Sequence, residues 1–543
     1  MELCKPRVRE PKTHDPPPST HPKRSQAMPS LDSALTTHAG CTITPHIGGP
    51  PYFAALKAKI DALTGAAGDF VYIAGWWLNT NTALGGAALT DLLIAKARAG
   101  VDVRVLGWVM APSILTNSRA QAAPQLRSIL GLNGNTMSCI NALRAEPRLA
   151  DKAVLNILAH PAGAVHMKMA VVGSSAAATG FTGGIDLLNS RLLPSWHDVE
   201  VQVDGPVVQG LFDTFRVMWN EIRGRSPVSL TANGVNCASH TAPSGGGSFS
   251  TGTGGMPDLP ARTLATTSGG SSRAQSARTF PRMRFGSVGS IASLGGASIP
   301  SNSPLSFAPS GLFEVRNAWE KGIQGAQTFI YIEDQGFTAA EAFDWVNAAV
   351  KASDTLKVVV LTGLFDPNDD PNNDTSKFFR VTVNSHLIVG LSAAQLARVG
   401  VFSHLTKTIH TKSTVVDDAW AIIGSANAMR RSLYTDLEHS VAFTDDAGGV
   451  ARYRETLWGV HHQQSIPAVQ AGLSAWFNLP FQGAGPPPPR GIVRLQLPLP
   501  ATTLNAQEQV MYDEVMDADS RQEWGTQLMR LFMQQAGAGS FAP

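Results

Sequence analysis

Two tripeptides in this chain carry the same chemistry, His166-Met167-Lys168 and His410-Thr411-Lys412. In an extended segment residues i and i+2 point to one face, so each tripeptide sets an imidazole and an ammonium side by side. Face to face, the two would suit an anionic phosphodiester: one histidine attacks phosphorus, the other protonates the leaving oxygen, and Lys168 and Lys412 hold the negative charge. The second copy runs on through the strand-like residues 413–416, the turn signal Asp417-Asp418 and a short apolar run at 420–423 to Gly424-Ser425-Ala426-Asn427. This pattern predicts a hairpin that delivers a hydroxyl and an amide, Ser425 and Asn427, to non-bridging phosphate oxygens beside Lys412. An attacking imidazole also needs a carboxylate on its far nitrogen. Each half offers one downstream: Asp198 follows His166, and Glu438 follows His410 with Asp436 as a neighbouring candidate. The expectation is therefore Asp198 behind His166 and Glu438 behind His410, with His197 a structural neighbour.

The elements that must position these groups alternate in type. Helical spacing over residues 52–63, a buried strand over 70–78, a helix over 89–99 and a strand over 101–109 predict a parallel or mixed sheet covered by helices. Residues 313–326, 328–332, 339–352 and 356–362 repeat the order before the His410 hairpin. The predicted fold is α/β, two similar α/β/α units, each a mixed sheet flanked by helices, with the active site at their interface. The predicted boundaries are a disordered leader over 1–45, a first unit over 46–225, a flexible Gly/Ser/Pro-rich linker over 226–310, a second unit over 311–480, and a Pro-rich linker with a C-terminal helix over 481–543. Within the linker the basic stretch 278–284 reads as a solvated patch. Helix-forming composition over 504–534 reads as a packed terminal helix.

The doubled motif resembles the signature of the phospholipase D superfamily: His-x-Lys, four residues, Asp, then a Gly-Ser or Gly-Gly-x-Asp segment. His410, Lys412, Asp417, Gly424, Ser425 and Asn427 match it, whereas Gly173 stands in the first copy where the family has Asp. That Asp is structural in the family, so its loss bears on local rigidity more than on chemistry. Gly183-Gly184-Ile185-Asp186 followed by His197-Asp198-Val199 is similar to the phospholipase pattern, and the resemblance covers most of residues 50–225 and 311–465. It implies a phospholipase D that cleaves the distal phosphodiester of glycerophospholipids through a phosphohistidine on His166, with His410 as acid and then base, and with head-group exchange as an accompanying reaction. The reversed assignment of the two histidines stays open. Asp186, Asp417, Ser425 and Asn427 are expected to bind phosphate or support the motif. A nucleic-acid phosphodiesterase is the alternative.

Composition sets limits on these readings. A chain of 543 residues with 43% hydrophobic side chains can bury two ordinary cores. A net charge of +2 supplies no broad field for nucleic acid, which disfavours that partner and leaves a phospholipid at a membrane surface. Cys4, Cys41, Cys139 and Cys237 show no paired spacing, so the expectation is no metal site and no cofactor, with the lysines supplying the charge. Neither an apolar stretch behind the basic amino terminus nor any run long enough to span a membrane is present in the sequence, so a cytoplasmic or peripheral location is expected. Export by a non-Sec route and the oligomeric state stay open.

Overall fold

The computed structural model describes residues 29–109, 127–160, 163–174, 176–241, 256, 270–283, 304–363, 374–483, 485, 489–513 and 517–521. The first half runs β1 (His38–Ile47), α1 (Gly49–Asp61), β2 (Phe70–Gly75), α2 (Leu89–Ala99), β3 (Asp102–Trp108), α3 (Arg127–Arg144), β4 (Ala153–Asn156), β5 (Met169–Gly173), β6 (Ala178–Gly183), β7 (Val199–Asp204) and α4 (Val208–Arg223). The second runs β8 (Ser272–Phe280), α5 (Glu314–Gln324), β9 (Phe329–Asp334), α6 (Ala340–Ala352), β10 (Lys357–Thr362), β11 (Val399–His404), β12 (Lys412–Val416), β13 (Trp420–Gly424), β14 (Glu438–Asp445), α7 (Gly449–His462), α8 (Val469–Phe477) and β15 (Ile492–Arg494). All main strands belong to one 16-stranded sheet in the order β15-β11-β10-β9-β12-β13-β14-β8-β1-β7-β6-β5-β2-β3-β4, with the two-residue strand Leu312–Phe313 paired to β8 off this path. Read outward from the β8–β1 seam, the two sides repeat. Each has an opening strand, three antiparallel strands, then parallel strands covered by helices. The α/β class with helix-flanked sheets is the expected one.

The strands nearest the site are buried on both faces, which is why β2 and the first four residues of β9 read as continuous apolar runs rather than alternating ones. The helices bury one stripe: Leu211, Phe212, Phe215, Met218, Trp219 and Ile222 in α4 recur at helical spacing and lie in the core.

The expected boundaries need correction at each seam. β1 begins inside the stretch read as a leader, and β8 lies inside the stretch read as a linker. They are equivalent: β1 pairs antiparallel with β7 and β8 with β14, and the two pair with each other through His38↔Ala274 and Cys41↔Ser272. β8 was hidden because Ser272-Arg273-Ala274-Gln275-Ser276 is polar, yet its ladder partners on both sides satisfy its backbone. Gln275 is fully buried, its amide bonded to Asp32, Leu35 and Thr37. The basic patch is likewise not a solvated one: Arg278 bonds both oxygens of Glu314, and Phe280 and Met283 are buried. At the carboxyl end, β15 adds a strand to β11 within the segment read as a Pro-rich linker. Of the expected terminal helix only Ala506–Met511 is described, and residues 514–516 and 522–534 lie outside the described residues. No helix among the described residues is long and apolar enough to cross a membrane.

Candidate active site

His166 and Lys168 sit in the backbone leading into β5, whereas His410 precedes β12 and Lys412 is its first residue. Each ammonium turns back on its own motif. Lys168 Nζ donates to the His166 carbonyl at 2.7 Å, and Lys412 Nζ bonds the His410 carbonyl and Gln335 Oε1.

The acids are exchanged between the halves. His166 Nδ1 lies 3.0 Å from Glu438 Oε1, and His410 Nδ1 lies 2.6 Å from Asp198 Oδ2. This corrects the expected pairing within each half. The cause is backbone pairing across the seam: His166 N–H donates to Leu437 O at 2.9 Å, and His410 N–H donates to His197 O at 2.8 Å. Short parallel ladders register the two crossings, Val165 with Leu437 and Thr408–Ile409 with Trp196–His197. Each histidine segment is thus docked beside the acid-bearing segment of the opposite half. An acceptor at Nδ1 fixes the proton there and leaves Nε2 with its lone pair, the atom a nucleophile or base requires.

All these groups are buried, and burial dominates their titration. It holds His166 well below the ordinary imidazole range, with the charges of Lys168 and Lys412 adding to the effect. His410 is lowered in the same way, by burial first and then by Lys412, Arg191 and Lys168. Burial pushes Asp198 up to about 6 against the pull of Lys412, and Glu438 up to about 7 against Lys168 and the Ser425 hydroxyl. Lys412 falls to about 8 by burial, opposed by Asp198. The site therefore holds neutral imidazoles beside two lysines, a field that favours an anion.

The supporting residues divide by position. Ser425 does not extend toward a free phosphate subsite: its hydroxyl donates to Glu438 Oε2 at 2.5 Å, and the Ser432 hydroxyl donates to Oε1 at 2.7 Å, so both orient the acid behind His166. In the first half Gly184 takes the place of Ser425, because a Cβ there would stand 2.1 Å from Asp198 Oδ1. Asp186 occupies the place of Asn427 and pairs with Arg191 at 2.6 Å and Lys168 at 3.7 Å. Burial raises it, but Lys168 and Arg191 outweigh burial and keep it below the usual carboxylate range. Asn427 keeps a buried amide oxygen without a hydrogen-bond partner. Asp436 does not reach a catalytic imidazole; it accepts from Ala164 N–H and pairs with Arg431, holding the strand crossing that carries His166.

Asp417 serves the motif and not the phosphate. It is left-handed at φ 55°, and its carboxylate accepts the N–H groups of Gln327, Thr328 and Phe329 ahead of β9. Gly173 holds the equivalent register position opposite Phe70 in β5. Asp69, immediately before β2, orders its own turn, accepting the N–H groups of Thr64, Gly65 and Ala66 at 2.9, 2.9 and 3.2 Å. No motif pointed to Asp69; its only signal is an acid between a Gly-rich turn and a buried strand.

Aromatic rings and a third cation also line the site and were not singled out by spacing. Trp76 stands edge-on to His166 at 4.5 Å with Lys168 over its face, and Trp196 packs on His410 at 4.9 Å with Arg191 over it.

Residues 321–458 match a family model described as the cardiolipin synthase, PLD-like domain. The matched residues lie in the second half of the chain. They take in His410, Lys412, Asp417, Ser425, Asn427 and Glu438. No curated protein sequence matches the chain. Among solved structures, it is similar to phosphatidylserine synthase of Haemophilus influenzae Rd KW20, at 13% identity and a TM-score of 0.44 over 78% of this chain and 87% of that one. It is also similar to polyphosphate kinase from Porphyromonas gingivalis, at 11% identity and a TM-score of 0.41 over 77% of this chain and 46% of that one. The matched residues begin inside α5 and end inside α7, and so leave out β8, which pairs with β14.

The expectation of no metal ligands meets a cluster that no spacing could show. His197, Glu333 and His461, from three separate elements, bring their ligand atoms within 4.8 Å of one another.

Proposed function

We propose that this chain is a phospholipase D-type phosphodiesterase built from two PLD-like halves. The observation that carries the reading is the pair of crossed, buried imidazole–carboxylate contacts, His166 with Glu438 and His410 with Asp198, each beside a motif lysine. In the proposed cycle Nε2 of His166 attacks phosphorus, the bond to the head-group oxygen breaks, and His410 gives its Nε2 proton to that oxygen. Neutral His410 then takes a proton from water, whose oxygen displaces the phosphoryl group from His166 and releases phosphatidate. An alcohol in place of water gives head-group exchange. His410 must start protonated although burial and lysine charge oppose it. The phosphodiester anion offsets the lysines, and Asp198 at 2.6 Å stabilises the imidazolium.

Glycerophospholipid is favoured as substrate by the Gly183-Gly184-Ile185-Asp186 and His197-Asp198-Val199 segments and by the near-neutral charge. The description of the matched family model, a cardiolipin synthase domain, supports phosphatidyl transfer to an alcohol as part of the repertoire. The test is release of choline and phosphatidate from phosphatidylcholine vesicles, with and without added primary alcohol, beside nicking of plasmid DNA. Lipid turnover abolished by His166→Ala and by His410→Ala is the expected result. Plasmid nicking with no lipid turnover would replace this reading with the nuclease one.

A further inference from the structure

His197 ends the short strand Trp196–His197, Glu333 lies in β9, and His461 lies in the last turn of α7. All three are buried. Glu333 Oε2 accepts the Tyr331 hydroxyl at 2.7 Å and faces His461 Nε2 at 3.0 Å. Its other oxygen, Oε1, stands 2.6 Å from His197 Nε2. Among the described residues the only ion-pair partners of Glu333 are these two histidines.

A carboxylate removed from water needs a countercharge. Two imidazole nitrogens and a carboxylate form a donor set that suits zinc and other first-row divalent ions, with a further position for an oxygen ligand. We propose that His197, Glu333 and His461 bind a divalent transition-metal ion, zinc by donor chemistry, that ties the two halves together behind His410. Ligands held tetrahedrally at about 2.0–2.1 Å from zinc stand roughly 3.3 Å apart, so side-chain shifts of about an ångström admit the ion.

The ion has a place in the site's architecture without touching substrate. His197 belongs to the first half, whereas Glu333 and His461 belong to the second. The carbonyl of His197 accepts His410 N–H at 2.8 Å, and the next residue, Asp198, holds the His410 ring. Fixing the His197 imidazole therefore fixes the segment that orients the second histidine, as outer partners do around other catalytic groups. His197 is in this sense a positioning residue.

The test is metal content, read without any turnover and so independent of the proposed reaction. Full-length protein is analysed as isolated by elemental mass spectrometry, then stripped with chelator, incubated with one equivalent of zinc and passed through a desalting column. The expected result is close to one first-row ion per chain, as isolated or after zinc, with a melting temperature raised in the loaded form. Glu333→Gln and His461→Gln should each cut retention at least tenfold, while His462→Gln, the adjacent buried histidine, should leave it unchanged. A variant that fails to fold is bypassed by comparing stripped and zinc-loaded wild type. Wild type with under a tenth of an equivalent and no zinc-dependent melting shift would overturn the site, as would retention equal in wild type and both ligand variants.

Discussion

Crossed pairing makes a prediction that pairing within each half reverses. Glu438→Gln removes the charge 3.0 Å from His166 Nδ1. At that separation and an effective dielectric of about 20, the imidazolium–carboxylate attraction is roughly 5 kcal/mol. The retained amide oxygen recovers part of it as a neutral hydrogen bond, while the amide N–H₂ can also turn toward the ring and favour the wrong tautomer. A net loss of about 3–5 kcal/mol corresponds to about 10²–10⁴ in the rate of the step His166 performs. Asp198→Asn imposes a similar loss on the step His410 performs. Rapid acid quench of a p-nitrophenyl phosphodiester during turnover, followed by peptide mapping of the phosphohistidine, separates the two. Para-nitrophenol leaves with little protonation, so Asp198→Asn should still form adduct on His166 and then accumulate it, whereas Glu438→Gln should lose the adduct. Should the label sit on His166 and vanish in Asp198→Asn while persisting in Glu438→Gln, the crossed geometry does not operate in catalysis. A label on His410, with both variant effects exchanged, would keep the crossing and reverse the two chemical roles.

Other outcomes follow from the same contacts. Because Glu438 is pushed up to about 7 by burial, the carboxylate that serves His166 is lost as pH falls through that value, and the acid limb of the rate profile should lie near pH 7. The stability effect has the opposite sign: a raised folded pKa contributes stability that is present below the ordinary glutamate range and lost as pH rises through about 7, so Glu438→Gln should melt higher than wild type at pH 8 and gain least at pH 5. Thermal melts at the two pH values check this, and a variant that gains nothing at pH 8 would contradict it. Asp69→Ala should lose about 2–3 kcal/mol in denaturant titration, since three N–H groups lose a charged acceptor. Gly173→Asp should not rescue Asp69→Ala, because a Cβ there would meet Ala177 O at 2.6 Å; recovery of stability in the double variant would refute that steric reasoning.

How much of this molecule its sequence determines depends on the range of the interaction involved. The His-x-Lys pairs, the Asp417-Asp418 turn and the buried runs of β2 and β9 are local patterns, and each is legible because its periodicity or turn chemistry belongs to residues close in sequence. The same locality explains Ser425: its place after β13 was readable, but not that its hydroxyl serves Glu438 rather than a phosphate. β8 escaped because a strand buried by its neighbours needs no apolar alternation of its own, and its partners β1 and β14 lie far away along the chain. The exchange of acids belongs wholly to tertiary structure. Glu438 and His166 are 272 residues apart, Asp198 and His410 are 212 apart, and backbone pairing across the seam decides which carboxylate meets which imidazole. Sequence sets the inventory of two histidines, two lysines and two acids; only the docking of one half on the other assigns their partners, because hydrogen bonds of about 3 Å depend on position in space and not on distance along the chain.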